Sequence, residues 1–545
     1  MMADSSDQPV KKMRVKNDET RQEPAPAPDL EHPPAAVAAL THTTVRDDPS
    51  PPTDVTVLND KSDLDGYVAR AIFGAGLPVA TVEHSAFIKM LKRMNPAYDP
   101  PSALSLGTSV LDLEYSEVQL KLRAEVLDAT AVGLGVESWM APQKRLLVSC
   151  VVSKPSPAVF GFESTGEMPH TVEVLVDRIE NIMTQIGTGK VSVIVTDASD
   201  GMKQASLSLQ QKYPAITFLP SCAHIMNSMM KEILDMSIIA NMIDTCKKLV
   251  SFFVQDPAAR CAIARVSGQT QETAMPMGDP NDASPIGLLQ CLFAIERNRH
   301  SLDILLAENG ALNNLNSKVR DEINSLSFWD EISMFTGLFE PFFEIMKMFE
   351  SDSPLLSTFY HRFTLLWAHL DKYGSLASKF QHIISKYWQS IQHPAMYTAY
   401  LLDPRFPPSG LSGEATSEAL AYIKRTTSAE VYGSIVDELT RFTARSGLFA
   451  DDAIWESAQK CSPIHWWKGF IGSSCPNLQP VALRTLGFPA SSGLSRSKRE
   501  MFDKIQVMNS KYMNEEQAGK AAIVYLNSNL ASSVEDSVVT TETLV

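Results

Sequence analysis

The run Val191-Ser-Val-Ile-Val-Thr-Asp197 constrains the fold more than any other stretch of this chain. Of its first six residues, five are β-branched and four are valine or isoleucine. Such a run reads as a strand apolar on both faces, so the sheet that contains it must be covered on both sides, an α/β arrangement. The strand ends on a carboxylate, Asp197, and a helix is predicted from Asp200 to Lys212. In α/β sheets ligands bind just outside the carboxyl ends of strands. A carboxylate there suits a hard cation such as magnesium, which takes oxygen ligands. The same Asp also suits the cap of the helix that follows. Local sequence leaves both readings open.

The segments around this strand supply the rest of a sheet. Ala129 to Glu137, Arg145 to Val152 and Ala158 to Phe162 are short, apolar and separated by turn residues, which suits three antiparallel strands. A helix is predicted from His170 to about Ile186, and a further strand from Ala215 to Leu219. The order is β-β-β-α-β-α-β. Before it, the helical region 59–128 has apolar positions at helical spacing, with Leu111, Leu113, Val118, Leu122 and Val126 predicted on one helix. Residues 223–254 read as helix, 255–285 as a Pro- and Gly-dotted loop, 286–386 as long helices, 394–413 as a Pro-rich turn region and 414–444 as helix. The stripe Ile332, Phe335, Leu338, Phe339, Phe342, Ile345, Met346 reads as core. A last coherent block spans 451–526. Residues 1–58 and 527–545 are polar and poor in apolar groups, and are expected to be disordered tails.

Composition excludes several classes. No apolar run reaches the length of a membrane span. Seven cysteines are scattered without C-x-x-C spacing, which argues against a zinc cage or a disulfide scaffold. The net charge of −15 excludes a surface that is basic all over, so any nucleic-acid partner must meet a local patch. The short cluster from Lys11 to Lys16 reads as a weak nuclear signal or a solvated run.

Four segments resemble the hAT family of DNA transposases and their domesticated relatives. They are Phe87 to Ser102; the β-β-β-α-β-α-β block carrying Val195-Thr-Asp197 and Ser221-Cys-Ala-His224; the long helical stretch with His393-Pro-Ala-Met-Tyr397 and Asp403-Pro-Arg-Phe406; and Ser462 to Lys468 with Cys475 to Leu478 and Leu483 to Ser492. The resemblance implies a ribonuclease H-like core over 129–254, a mixed sheet interrupted by an all-helical insertion domain over 255–450. A C-terminal dimerisation region and the last core helix would follow over 451–526. It also implies a nuclear location.

Strand transfer in that family uses two divalent ions on three carboxylates. Asp197 matches the second of these. The first place is held by Glu137, one methylene longer. The third falls on Arg496, a cation that repels metal. Glu500, one helical turn on, is the alternative third carboxylate. His224 is expected to brace the fold or lie near DNA. Trp466, Trp467, Leu478 and Leu483 are expected at a dimer interface or, alternatively, in an intramolecular core. The resemblance, with these replacements, implies a transposase-derived protein inactive in strand transfer, without a resident cofactor, that forms a homodimer and associates with DNA and not with a membrane. The other reading is an active Mg2+-dependent transposase or nuclease using Glu137, Asp197 and Glu500.

Overall fold

The computed structural model describes residues 61–528, apart from 130, 141–145, 155–156, 165–170, 269–280, 309, 311 and 351–354. The expected tail at 1–58, with the Lys11 to Lys16 cluster, and residues 529–545 of the expected tail 527–545 lie outside the described residues; Asn527, expected in that tail, is instead buried in the fold.

The described residues are mostly helical around one small mixed sheet, an α/β fold. Its strands are β1 (Val132–Met140), β2 (Leu146–Lys154), β3 (Ala158–Ser164), β4 (Val191–Thr196) and β5 (Thr217–Pro220). The spatial order is β3-β2-β1-β4-β5. Strands β1 to β3 pair antiparallel, whereas β4 runs parallel to β1 and β5 parallel to β4. The parallel pairs require crossovers, supplied by the helices Val172–Ile186 and Asp200–Lys212. Every residue of β4 is buried, as its composition demands. On one face Ile194 joins Val136, Leu134, Phe160, Ile179 and Leu209 beneath the crossover helices and helix Leu111–Asp128. On the other face Val193 and Val195 join a long helical core.

That core runs continuously from β4 through the helices between Cys222 and Ile391 to Trp467, Leu478 and Phe488. The stripe expected from Ile332 to Met346 is buried within helix Leu326–Met348. Pro341 lies inside this helix and has no N–H to give Gly337 O. His369 Nε2 lies 3.0 Å from that carbonyl and fills the place. The last two helices, Arg496–Asn509 and Glu515–Leu526, leave the helical core. They pack with the N-terminal helix Lys61–Gly74 against β2 and β3. Asn527 then clips the edge of β3: its Oδ1 accepts from Val159 N at 2.9 Å and its Nδ2 donates to Val159 O at 2.8 Å.

Three further expectations fail, each for a definable reason. Pro257 falls in the stretch 255–285 whose pattern predicts a loop, but it opens helix Pro257–Ser267. Asp256 Oδ1 caps that helix by accepting from Ala258 N and Ala259 N. Pro394 likewise opens helix Pro394–Leu401 behind His393, whose Nδ1 accepts from Ala395 N at 3.1 Å. A proline at the first helical position lacks only an N–H that would be unsatisfied anyway, so it starts a helix as readily as it ends one. Third, Leu113 does not join the buried face of its helix. That face is Leu111, Glu114, Val118, Leu122 and Val126, and Leu113 points to solvent.

Candidate functional site

The side chains at the carboxyl ends of β1 and β4 are held by a chain segment laid flat against the sheet. Gly133, Gly135 and Glu137 alternate onto one face of β1. Residues 489–493 cross that face. A Cβ on Gly135 would stand 2.1 Å from Ser492 O, and one on Gly493 would stand 1.6 Å from Glu137 Oε2. Only glycine permits either approach. Glu137 is thereby enclosed at 7% exposure. From the following helix Arg499 reaches back, and its Nη1 donates to Glu137 Oε1 at 2.8 Å. Burial raises the Glu137 pKa, the Arg499 guanidinium pulls it down, and the neighbouring Asp197 adds to the rise.

Asp197 follows β4 directly and is 2% exposed. Its backbone N–H donates to Val136 O at 3.2 Å, which locks it to β1. Its Oδ2 accepts from both Ser138 N and Ser138 Oγ at 2.8 Å, and its Oδ1 accepts from Ser199 N at 2.9 Å. Asp197 is therefore not the helix cap. Ser199 holds that position, with Oγ accepting from Met202 N. Asp197 makes the turn before the cap and ties β1 to β4.

Ser221 joins three segments. Its N–H donates to Thr196 O at 2.8 Å, and its Oγ accepts from Ser492 N and from His224 N. It is the N-cap of helix Cys222–Leu234. Cys222 beside it is buried and its thiol pKa is pushed up, which makes it inert. His224 sits at the rim with its ring partly in solvent. Burial lowers its pKa; Asp197 opposes this, and Arg499 and Lys203 reinforce it. Glu137, Asp197, His224 and Arg499 thus share one electrostatic neighbourhood.

The expected third carboxylate place, Arg496, lies where the last helices return to the sheet. Arg496 is the first residue of helix Arg496–Asn509, and its side chain is not among those described. Among the described side chains, the cation that enters the site is Arg499, three residues later. Glu500 is exposed on the helix surface. One turn beyond Arg499 lies Asp503, half-buried, with its Oδ1 shielded from water and lacking a hydrogen-bond partner. Burial raises the Asp503 pKa, Arg499 lowers it and Glu500 raises it. Sequence reasoning passed over both Arg499 and Asp503. Their four-residue spacing on one helix was the available signal.

These residues do not fit a divalent ion. Three donors already occupy the Asp197 oxygens, and Glu137 is paired to a fixed cation. Among the described residues no group of three or more His, Cys, Asp or Glu is placed to hold a metal.

The aromatic pair expected at a dimer interface lies inside the chain. Trp467 is fully buried and its Nε1 donates to Leu402 O at 2.8 Å. Trp466 is 4% exposed and donates to Ile454 O at 3.0 Å. Both pack against Phe442, and Trp466 also against Phe449 and Trp455. Leu478 is buried, and its N–H donates to Glu438 Oε2 at 2.7 Å. These three side chains are closed within the chain's own core. Leu483 is half-buried and lines a cleft with Lys190, Tyr213, Lys468 and Arg484, at the amino ends of β4 and β5 and away from Asp197.

The site is thus a carboxylate pair neutralised by arginine and hydrogen bonds, set at the carboxyl edge of a mixed α/β sheet. Residues 101–249 match a family model described as a domain of unknown function, DUF659. The matched segment holds all five strands, Glu137, Asp197 and His224, and stops well before Arg499. No curated protein matches the chain. No helix among the described residues is long and apolar enough to cross a membrane.

Proposed function

We propose that this is a hAT transposase-derived protein with a ribonuclease H-like core, silent in DNA strand transfer, whose remaining roles are self-association and DNA association in the nucleus. The observation that carries the reading is the Arg499–Glu137 pair, 2.8 Å long and set where a catalytic ion would need the Glu137 carboxylate. A guanidinium always carries its charge and cannot be titrated away. The match of 101–249 to DUF659, a domain associated with hAT-like transposases, supports the ancestry. The strand order β3-β2-β1-β4-β5 supports the ribonuclease H-like core.

The test is a nicking assay on supercoiled plasmid with Mg2+ or Mn2+, paired with calorimetric titration of Mn2+ into the full chain. The expected result is no metal-dependent cleavage and no saturable Mn2+ binding. Cleavage by the native protein that Asp197→Ala abolishes would overturn the reading and favour the metal-dependent enzyme. DNA association is tested by the salt dependence of binding to duplex DNA, which a phosphate-contacting surface must show. The nuclear location is tested with a fluorescent fusion, with and without Lys11 to Lys16.

A further inference from the structure

Helix Leu111–Asp128 carries two faces of opposite character. The inner face is buried against the sheet and the C-terminal helices. The outer face presents Leu113, Leu120 and Leu127, which are 65%, 70% and 69% exposed. Seven-residue spacing places them on one line along a helix. Single exposed leucines need no explanation. Three in register at heptad spacing, on a helix already supported from behind, form a seam of the kind that packs against another helix. Beside the seam lie two small exposed residues, Ser116 and Ala124, which leave room for a second helix to approach.

We infer that this seam is the contact between two copies of the chain, packed antiparallel about a two-fold axis through Leu120. The spacing is self-complementary. The axis sets Leu113 of one copy opposite Leu127 of the other, and Leu120 opposite itself. Charge follows the same symmetry. Glu117 and Lys121 lie on one flank of the seam and pair within the helix at 2.9 Å. In an antiparallel pair each flank faces its own kind. Glu117 of one copy then stands about 3 Å along the axis from the level of Lys121 in the other, within reach of a crossed ion pair. Asp112 and Asp128 fall on opposite flanks at the two ends, so they do not face each other across the seam. The interface relocates the self-association expected at Trp466 and Trp467, whose side chains are buried in the chain's own core. It refines the self-association part of the proposed function and does not depend on the transposase ancestry.

The test uses the full chain and light scattering at micromolar concentration. The native protein is expected to be a dimer. Leu120→Glu places two carboxylates at the axis and is expected to weaken the dimer at least tenfold. Its circular dichroism should be unchanged, because within one copy Leu120 is mostly in solvent, and its melting should fall only by what the lost association contributes. Orientation is read by oxidative cross-linking with copper phenanthroline, in a background carrying Cys261→Ser and Cys461→Ser, the two exposed cysteines. An antiparallel pair joins Leu120→Cys to itself and Leu113→Cys to Leu127→Cys. Leu113→Cys should not join itself. A monomeric native protein overturns both the inference and the self-association in the proposed function. A dimer indifferent to Leu120→Glu, or Leu113→Cys joined to itself, overturns the interface alone.

Discussion

Replacing Arg499 by methionine isolates the pair that defines the candidate site. Methionine keeps the apolar stem and deletes the charge. Glu137, 7% exposed, is then left buried beside Asp197 with no cation against it. Removing one member of a buried pair costs about 3–5 kcal/mol. Arg499 keeps 35% of its side-chain surface in solvent, and screening there discounts the loss to about 2 kcal/mol. The loss must also depend on pH. Burial and Asp197 already raise the Glu137 pKa, and deleting Arg499 raises it further. A carboxyl whose native pKa lies above its unfolded value of 4.5 favours the native state below that value. That contribution is lost as pH rises through the native pKa, at about 1.4 kcal/mol per unit of difference. The deficit of Arg499→Met is therefore largest near pH 7.5 and shrinks toward pH 5. Adding Glu137→Gln to the variant removes the stranded charge and should recover most of the loss. Urea unfolding followed by tryptophan fluorescence at both pH values reads all four states of the cycle. The reasoning fails if Arg499→Met stays within about 0.5 kcal/mol of the native protein at both pH values, or if the double variant is no more stable than the single.

Other consequences follow from single contacts. Burial, reinforced by Arg425, lowers the His393 pKa to about 4, and its neutral Nδ1 accepts from Ala395 N. Because the unfolded chain protonates near 6.5 and the native one does not, stability should fall by about 3 kcal/mol between those pH values. Melts from pH 7 to pH 4.5 should slope less in His393→Asn, which keeps a capping acceptor but does not titrate. Trp467→Ala should cost about 4 kcal/mol in denaturant unfolding, from an emptied core position and a stranded Leu402 carbonyl. An interface role would instead change light scattering and leave unfolding nearly untouched. Gly135→Ala drives a methyl into Ser492 O and should destabilise by at least about 2 kcal/mol, read by thermal melting. A native-like melt would show that residues 489–493 do not press on β1.

Much of the sheet was legible because local pattern and tertiary role agree there. The β4 sequence is apolar throughout, and a strand with two buried faces cannot be otherwise. The approach of residues 489–493 to Gly135 in β1 was not legible, because it depends on a segment more than 350 residues away. The core stripe of helix Leu326–Met348 was plain from its period. Pro257 and Pro394 misled because a proline at the start of a helix and one after its end look alike until the cap is known.

Sequence alone therefore determined the buried strand, the carboxylate at its end and the helical bulk of the chain, while only the resemblance to hAT transposases singled out the positions of Glu137 and Arg496. Tertiary structure alone decided what those positions became. Arg499 and Glu137 are 362 residues apart, and only the return of the last helices to the sheet brings them together. The same holds for Trp467, whose side chain reads equally as anchor or core until Leu402 is beside it. It holds too for Leu113, Leu120 and Leu127, exposed because the sheet took the other face of their helix. Period and composition are local properties. Which face is covered, and which charge is answered, depends on segments that meet only after folding.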